Sequence, residues 1–162
     1  MRHLTLTFAI CGLIVSTTNA QFAGGNGTEE KPYQIETLEQ LDAMRNEPDA
    51  HFVQTADIDA SETVDWNDGE GFLPIRNFSG SFDGNGHEIS DLTINRPDED
   101  NIGLFGSISG ADLDNVIFQN SSVTGGSSTG SLAGRMEQSR VRNSTSGIDV
   151  TGGSSVGGLV GY

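Results

Sequence analysis

The six-residue segment Val-Thr-Gly-Gly-Ser-Ser occurs twice in the second half of this chain and constrains the fold more than any other feature. The two copies begin at Val123 and Val150, so their offset in residue number is 27. A second landmark keeps nearly the same spacing, since the offsets between the glycines that close it, Gly106, Gly134 and Gly161, are 28 and then 27. Two landmarks on one period indicate a structural repeat, and periods of about 20–50 residues are typical of solenoids, propellers and arrays. A flexible Gly/Ser linker has no reason to keep such a register.

The repeated unit is predicted to be β-structure. Its apolar residues come in short clusters, such as those between Leu113 and Phe118, and Gly, Ser, Asn and Asp separate them. This pattern favours short strands joined by turns over helices. We therefore predict an all-β parallel solenoid with one coil per ~27 residues, in which equivalent side chains stack at about 4.8 Å. Like charges at that spacing repel, so we expect Ser, Thr and Asn to form neutral hydrogen-bonded ladders there.

Charge divides the chain into two regions. The whole sequence carries 23 Asp and Glu against 8 Lys and Arg, a formal net charge of −15, which opposes binding to nucleic acid or to an anionic membrane. Residues 21–100 hold 19 of the acidic residues, whereas residues 101–162 hold 4, together with 13 Gly and 16 Ser or Thr. We predict an acidic N-terminal cap with the first coils over 21–100, and repeat coils over 101–162 whose last coil is uncapped. That open end would allow end-to-end continuation.

Residues 1–20 are predicted to be a secretory signal peptide. A basic start is followed by the apolar run Leu4–Val15 and by small polar residues up to Ala20, after which cleavage is expected. The apolar run is too short to span about 30 Å of hydrocarbon as a helix. A lipid anchor through Cys11 is the alternative, although Ile10 is bulky for that processing. The mature chain then has no cysteine and no membrane span, and its location is secreted or cell-surface.

The start of the mature chain is predicted to cap the solenoid. Thr37 and Gln40 form a capping box, and apolar residues recur at helical spacing from Leu38 as far as Pro48. A helix of about nine residues laid across the top coil would cover its open edge. The first strands are expected at Phe52–Asp59, Phe78–Asp83 and Ile89–Ile94, with a tight turn at Asp83–Gly86.

The order of these motifs resembles that of bacterial surface proteins built from GLUG motifs. The similarity covers essentially all of the mature chain, and its segments before the landmark glycines are Phe22–Thr28, Pro32–Ile35, Thr37–Met44, Asp57–Asp59, Phe78–Ile89 and Leu92–Ile94. Gly103–Gly106 and Gly158–Gly161 match the Gly-Leu-Val-Gly signature, the first with Phe for Val, while Ser131–Gly134 departs from it with Ser and Ala. The resemblance implies a secreted or surface-attached right-handed parallel β-helix. Such modules occur in adhesin-like proteins and in immunoglobulin-A-specific zinc metallopeptidases.

Two segments have the composition of metal sites but lack a necessary residue. His87–Asp91 begins like a zinc-protease motif, yet Asp91 stands where the second histidine belongs, and the segment is predicted to be a strand. Asp65–Glu70 offers oxygen ligands at alternating positions as calcium loops do, but Arg76 occupies the place of the final glutamate. The acidic pairs and runs Asp57/Asp59 and Asp98–Asp100 are predicted to be solvated loop charges, which leaves weak, unspecific divalent binding open.

No enzymatic constellation is expected. Both histidines of the mature chain, His51 and His87, precede the repeats, so we expect none beside a serine nucleophile. Gly24–Gly27 is not a phosphate loop, because no lysine follows it. Convergent carboxylates with Arg or Lys, which polysaccharide cleavage needs, are not evident on one face. We therefore predict no catalytic residue, no metal ligand and no cofactor.

Three functions remain open from the sequence. The leading one is a non-enzymatic surface module for adhesion or structural display, whose unknown partner is a protein or a glycan. The second is an N-terminal piece of a larger surface protein, which could be a peptidase. The third is a carbohydrate-binding module, which requires exposed aromatic residues, whereas Phe105 and Phe118 are expected in the core and only Tyr162 remains. The single lysine against seven arginines also suggests a high-salt habitat.

Overall fold

The computed structural model describes residues 21–162 and shows a parallel β-helix. The predicted signal peptide and the alternative anchor at Cys11 lie outside the described residues. Every strand-to-strand ladder is parallel, and neighbours in a sheet come from successive coils, so that apart from β1 and β2 they are not consecutive strands in the sequence. This arrangement confirms the predicted all-β parallel β-helix with a short N-terminal helix.

Fourteen short strands and one α-helix make up the described chain. In order they are β1 Tyr33–Ile35, α1 Leu38–Ala43, β2 His51–Gln54, β3 Ile58–Asp59, β4 Ser81–Asp83, β5 Glu88–Ser90, β6 Thr93–Arg96, β7 Phe105–Ser109, β8 Asp112–Asp114, β9 Ile117–Gln119, β10 Ser122–Gly125, β11 Ala133–Glu137, β12 Arg140–Arg142, β13 Thr145–Ser146 and β14 Asp149–Thr151. Two 3-10 turns, Met44–Asn46 and Ser61–Gly69, interrupt the series.

The strands form four sheets that run along the solenoid. The first sheet has the order β1-β2-β4-β8-β12, the second β3-β5-β9-β13, the third β6-β10-β14, and the fourth β7-β11. We number coils from the strand each contributes to the first sheet, so that coil 1 begins at β1 and coil 5 at β12. The paired copies of the repeated segment stack as predicted, with Val123 opposite Val150.

Coil length is not constant. Along the first sheet His51 pairs with Ser81, Ser81 with Asp112, and Asp112 with Arg140, so the offset in residue number is 30, then 31, then 28. The sequence period of 27 therefore applies to the last coils only. Coils 2 and 3 are longer, and coil 2 includes the turn Ser61–Gly69, in which Asn67 and Asp68 have φ angles of 52° and 57°.

The N-terminal end is closed by two different pieces of chain. The predicted helix forms as α1 with a 3-10 extension to Asn46, and Thr37 accepts the N–H of Gln40. The strand edge of β1, however, is paired by an antiparallel bridge between Gly24 and Gln34 rather than by the helix. A helix uses its backbone groups internally, so only an extended segment can satisfy a strand edge. The helix instead contributes Leu41 to the core.

The interior is filled by the inward side chains of the short strands, one or two from most strands. In the first sheet Phe52, Phe82, Leu113 and Val141 lie one above another. Phe78 and Phe105 pack between the sheets with ring centroids 4.7 Å apart. Phe105 and Phe118 are fully buried, as predicted from the sequence. The solenoid therefore has one continuous core along its length, and the outward side chains of each strand are left for contacts.

Candidate ligand-contact face

The outward face of the first sheet gathers the polar residues of four successive coils. Strand alternation places residues i and i+2 on the same side, so each strand contributes two side chains to two parallel columns. One column is His51, Ser81, Asp112 and Arg140, and the other is Val53, Asp83, Asp114 and Arg142. We call this surface the contact face. It arises because the buried phenylalanine and leucine between each pair point into the core.

A histidine and a serine meet at the start of the contact face. The Nδ1 atom of His51 lies 2.8 Å from the Oγ atom of Ser81. The expectation that no histidine lies beside a serine is therefore wrong. The sequence signal was their offset of 30, which equals the length of coil 2 but differs from the visible period. Among the described residues no carboxylate hydrogen-bonds to the ring of His51, so the third, orienting group of a nucleophilic triad is not in place.

Charges on the contact face are arranged by sign along the solenoid axis. Asp83 and Asp114 stack in register, and an asparagine amide hydrogen-bonds to each: Nδ2 of Asn115 donates to Asp83 Oδ1 at 2.9 Å, and Nδ2 of Asn143 donates to Asp114 Oδ1 at 2.8 Å. The carboxylates of coil 4 face guanidinium groups of coil 5, with Arg142 Nε 3.6 Å from Asp114 Oδ2.

The repeat coils carry fewer charges than residues 21–100, and their arginines are paired with carboxylates. Arg140 lies 3.7 Å from Asp112, and Arg135 is paired with Glu137 on β11. The three arginines of residues 101–162 thus each face one of that region's four carboxylates. The expectation that carboxylates and arginines are not gathered on one face is wrong, because Asp112 and Asp114 stack opposite Arg140 and Arg142 on the contact face, and opposite charges in neighbouring coils attract.

A shallow cleft of about 240 Å³ runs over the contact face. Carboxylates line most of it, with Arg142 at one end and His51 and Ser81 at the other, and Glu29 from the N-terminal segment forms a wall. The cleft offers hydrogen-bond acceptors, a hydroxyl and a cation but little apolar surface. Its chemistry suits a polar, extended ligand that contacts several coils.

Serine hydroxyls join successive coils at corners of the solenoid, two of them beside β12 of this face and one between β9 and β10. Ser121, Ser139 and Ser144 each follow a residue with positive φ, and each donates to the carbonyl two residues earlier at 2.8–2.9 Å. The same oxygens accept backbone N–H groups of the preceding coil, from Leu92 at 2.9 Å, Ala111 at 3.0 Å and Val116 at 3.1 Å. These hydroxyls join the coils through the backbone and not as the predicted side-chain ladders, and a ladder step of the predicted kind is the 3.2 Å hydrogen bond from Ser154 Oγ to Ser127 Oγ.

The segment that resembles a zinc-protease motif is a strand, as predicted. Glu88–Ser90 forms β5, and His87 Nδ1 lies 3.1 Å from Asp57 Oδ1. Asp57 also accepts the Glu88 N–H at 3.0 Å. This backbone hydrogen bond, and then the contact with His87, holds the pKa of Asp57 below its usual value. These residues join coils 2 and 3.

The loop proposed as a calcium-like segment is bound by its own side chains. Trp66 packs on Phe72 with ring centroids 6.1 Å apart, and the guanidinium of Arg45 covers Phe72 at 5.3 Å. Asn67 Nδ2 donates to the Gly71 carbonyl at 2.8 Å. Within residues 21–162 no three His, Cys, Asp or Glu side chains are grouped as metal ligands.

The carboxylates of Asp57, Asp59, Asp98 and Asp100 are exposed, as predicted, and several acidic residues of these runs also make specific contacts. Asp59 accepts the Ser61 N–H at 2.9 Å, which lowers the pKa of Asp59. Glu99 accepts hydrogen bonds from Arg76 at 3.0 Å and from Arg96 at 2.7 Å. The buried Arg96 thereby ties the end of β6 to the acidic loop that follows it. The prediction of plain solvated charges at Asp57/Asp59 and Asp98–Asp100 therefore misses a structural role.

By its fold and by this face, the chain is a parallel β-helix module whose outward polar side chains stack along one sheet. The chain belongs to the family of the M26 IgA1-specific metallo-endopeptidase N-terminal region, whose family model matches residues 27–152. That family model represents the N-terminal region of the peptidases. Among residues 21–162, no helix has the length and apolar character needed to cross a membrane.

Similar proteins come from several microorganisms. Halomucin of Haloquadratum walsbyi is 42% identical over 191 residues, which cover 97% of this chain and 2% of Halomucin. The "Putative Gly-rich membrane protein" of Evansella cellulosilytica is 38% identical over 141 residues, which cover 77% of this chain and 16% of that protein. The crystal structure of a "putative immunoglobulin A1 protease" from Bacteroides ovatus aligns with 22% identity and a TM-score of 0.47, covering 87% of this chain and 64% of that one. The chain thus spans a small part of the curated relatives it matches.

Proposed function

We propose that this chain is an extracellular, non-enzymatic β-helix module of a cell-surface protein, and that it binds a surface ligand through the contact face. The observation that carries the proposal is the in-register stacking of His51, Ser81, Asp112 and Arg140 on four successive coils. Stacking presents these groups on a rigid sheet at about 4.8 Å intervals. The predicted signal peptide over residues 1–20 supports export.

The ligand class follows from the chemistry of the face. Its coils 3 and 4 carry carboxylates and its coil 5 carries two arginines, so a partner with both donor and acceptor groups in a row matches it best. An extended polypeptide segment or a hydroxyl-rich glycan has that character. Nucleic acid does not, because the chain as a whole carries a net charge of −15.

The second candidate is the N-terminal part of a larger surface peptidase. The match to the N-terminal region of the M26 metallo-endopeptidases favours it. In that arrangement the module binds or positions the substrate, and a separate domain performs the chemistry. The GLUG-type landmarks at Gly103–Gly106 and Gly158–Gly161 are compatible with either candidate.

We propose that a further coil is added at the open strand edge of coil 5, on the side away from coil 4. In the described chain β12, β13 and β14 are each paired on one side only. Val150 and Leu159 are half-buried, whereas their counterparts Val123 and Leu132 in coil 4 are buried. A further coil, from the same polypeptide or from another molecule, would complete both the hydrogen bonding and the apolar burial.

Binding to whole cells or matrix of the source organism tests the proposal. We compare the purified protein with the double variant Asp112→Asn/Asp114→Asn and with a control, Asp65→Asn/Asp68→Asn, which changes the charge equally on a distant loop. The face variant is expected to bind at least about tenfold more weakly, a loss of about 1.4 kcal/mol. Equal weakening by both variants would mean that net charge is responsible. Unchanged binding of the face variant would exclude the contact face.

Sequencing the N-terminus of the protein outside the cell tests export separately. We expect the exported protein to begin at Gln21. The size of the native polypeptide distinguishes the two candidates, because a surface peptidase requires a further catalytic domain. Retention inside the cell with residues 1–20 intact would refute both.

A further inference from the structure

Four Asn-x-Ser/Thr tripeptides occur between residues 21 and 162, at Asn26, Asn77, Asn120 and Asn143. This tripeptide is the acceptor for N-linked glycans in exported proteins, where it lies at the surface. All four asparagines are exposed. The last three stand at corners of the solenoid with φ angles of 57°, 48° and 49°. We propose that Asn26, Asn77 and Asn120 carry N-linked glycans and that Asn143 does not.

Asn120 has the most open surroundings. It follows β9 at an outward corner, and its side-chain amide makes no hydrogen bond within the described chain. In the preceding coil the register places the exposed Asp91 at the equivalent corner, and in the next coil Gly147, where a Cβ would meet no atom within 4 Å, lies opposite the neighbouring Gln119. A glycan at Asn120 therefore projects into solvent from an exposed corner. The third residue of its tripeptide, Ser122, is exposed as well.

The other three tripeptides differ in whether the acceptor nitrogen is engaged. At Asn26 the Oδ1 atom accepts the Thr28 hydroxyl at 2.9 Å, and at Asn77 only the backbone N–H is bonded, to Ser107 Oγ at 3.1 Å. Both leave Nδ2 without a partner in the described chain. Nδ2 of Asn143 instead donates to Asp114 Oδ1 at 2.8 Å. Modification there would replace one of the two hydrogens of this engaged nitrogen and place the first sugar beside the stacked carboxylate of Asp114 on the contact face.

The reaction is a group transfer without oxidation or reduction. Nδ2 of the asparagine forms a bond to the anomeric carbon of an oligosaccharide carried on a polyprenyl phosphate. The bond between that carbon and the phosphate oxygen breaks, the lipid phosphate leaves, and Nδ2 loses one proton. A membrane transferase of the host supplies the lipid-linked sugar during export, so this inference rests on the extracellular location proposed above.

Substitutions of the two serines next to Asn120 distinguish an effect on glycosylation from an effect on folding. Ser121 is the middle residue of the tripeptide, and its buried Oγ accepts the Leu92 N–H at 2.9 Å. Ser122 is the third residue of the tripeptide and is required for modification. It is exposed, so its hydroxyl is not part of the buried core. Ser122→Ala is therefore expected to abolish the glycan with little change in stability, whereas Ser121→Ala is expected to keep the glycan and lower the melting temperature. Ser122→Thr preserves the acceptor tripeptide and is the matched control.

The experiment is peptide mass spectrometry of the protein isolated from its own host, as the parent and as these three variants. We expect sugar mass on the Asn120 peptide of the parent, Ser121→Ala and Ser122→Thr, and none in Ser122→Ala. An exported protein with bare asparagines would overturn the inference while leaving the proposed function intact. A glycan on Asn143 would overturn the selection among the four sites. A protein retained in the cell would overturn both proposals.

Discussion

Coils 2 and 3 and coils 4 and 5 stack on the same four sheets, but they differ in length and in what fills them. The early coils repeat at offsets of 30 and 31 and bury Phe52, Phe78 and Phe82, whereas the later offsets fall to 28 and 27. Down the first sheet the inward residue shrinks from Phe82 to Leu113 and then to Val141. A shorter coil encloses less volume, so smaller side chains fill it at normal packing density.

The two regions also hold their neighbours differently. The acidic first region uses aromatic packing and ion pairs of a buried arginine, such as that between Arg96 and Glu99. The second uses serine hydroxyls at corners and glycines where coils approach closely. In a solenoid each coil contacts only its neighbours, so these differences predict a local gradient of stability. The predictions below test that gradient from the largest effect to the smallest.

The aromatic core should dominate stability. Phe82→Ala removes a fully buried ring from coil 3 and is expected to lower the free energy of unfolding by about 3–5 kcal/mol. Val141→Ala changes the same column two coils later, at a half-buried position, and should lower it by no more than about 1.5 kcal/mol. Urea denaturation of both variants measures the difference. Equal losses would show that the two regions are packed equally well.

Alanine substitutions at the landmark glycines should differ in their effect on stability, according to how closely other atoms approach each glycine. A Cβ at Gly134 would lie 2.3 Å from the Asn101 carbonyl carbon, whereas a Cβ at Gly158 meets no atom within 4 Å. Gly134→Ala is therefore expected to cost about 1–3 kcal/mol through overpacking. Gly158→Ala should be neutral or slightly stabilising, because it reduces the entropy of the unfolded chain. A neutral Gly134→Ala would show that the second region tolerates local expansion of the coil.

These contacts also explain which positions of the landmark segments vary among the three copies. The closing glycine is present in all three copies, at Gly106, Gly134 and Gly161, and at each a Cβ would lie within 3.0 Å of another chain segment. The first position accepts Ser131, whose hydroxyl donates to the Gly158 carbonyl at 2.6 Å. The third position holds Phe105, Ala133 and Val160, of which the first two are fully buried and the last is half-buried.

Sequence reasoning predicted the second region well and the first region only in outline. The exact repetition at Val123 and Val150 revealed the register, and with it the stacking of the late coils. Coils 2 and 3 have no repeated segment and carry an inserted turn, so their longer offsets of 30 and 31 were hidden. The meeting of His51 with Ser81 depends on that register, and so could not be predicted.

Corner hydroxyls should matter less than the core but measurably. Ser121→Ala leaves the Leu92 N–H without its acceptor at a buried site, and should cost about 1–3 kcal/mol. Ser122→Ala, one residue later and exposed, serves as the control and should change stability little. Thermal unfolding of unglycosylated protein keeps the measurement free of any sugar. If Ser121→Ala proves neutral, water replaces the hydroxyl, and backbone pairing alone joins coils 3 and 4.

The smallest expected effect is the pH response of the first region. The Glu88 N–H and then His87 lower the pKa of Asp57 in the folded state. A carboxyl group with a lowered folded pKa stabilises the fold above its unfolded pKa of about 3.9, and this contribution is lost as pH falls through the folded value. Asp57→Asn should therefore lower the melting temperature slightly at about pH 6 and make no difference well below about pH 3.

Asp149→Asn, in coil 5, is the charge-matched control for this measurement. Asp149 is exposed at the start of β14 and makes no side-chain hydrogen bond in the described chain. Its substitution changes the net charge as Asp57→Asn does but removes no contact between coils. If both variants respond to pH alike, the response comes from overall charge repulsion. A response confined to Asp57→Asn would show that the acidic residues of the first region stabilise the stacking of coils 2 and 3 through specific hydrogen bonds.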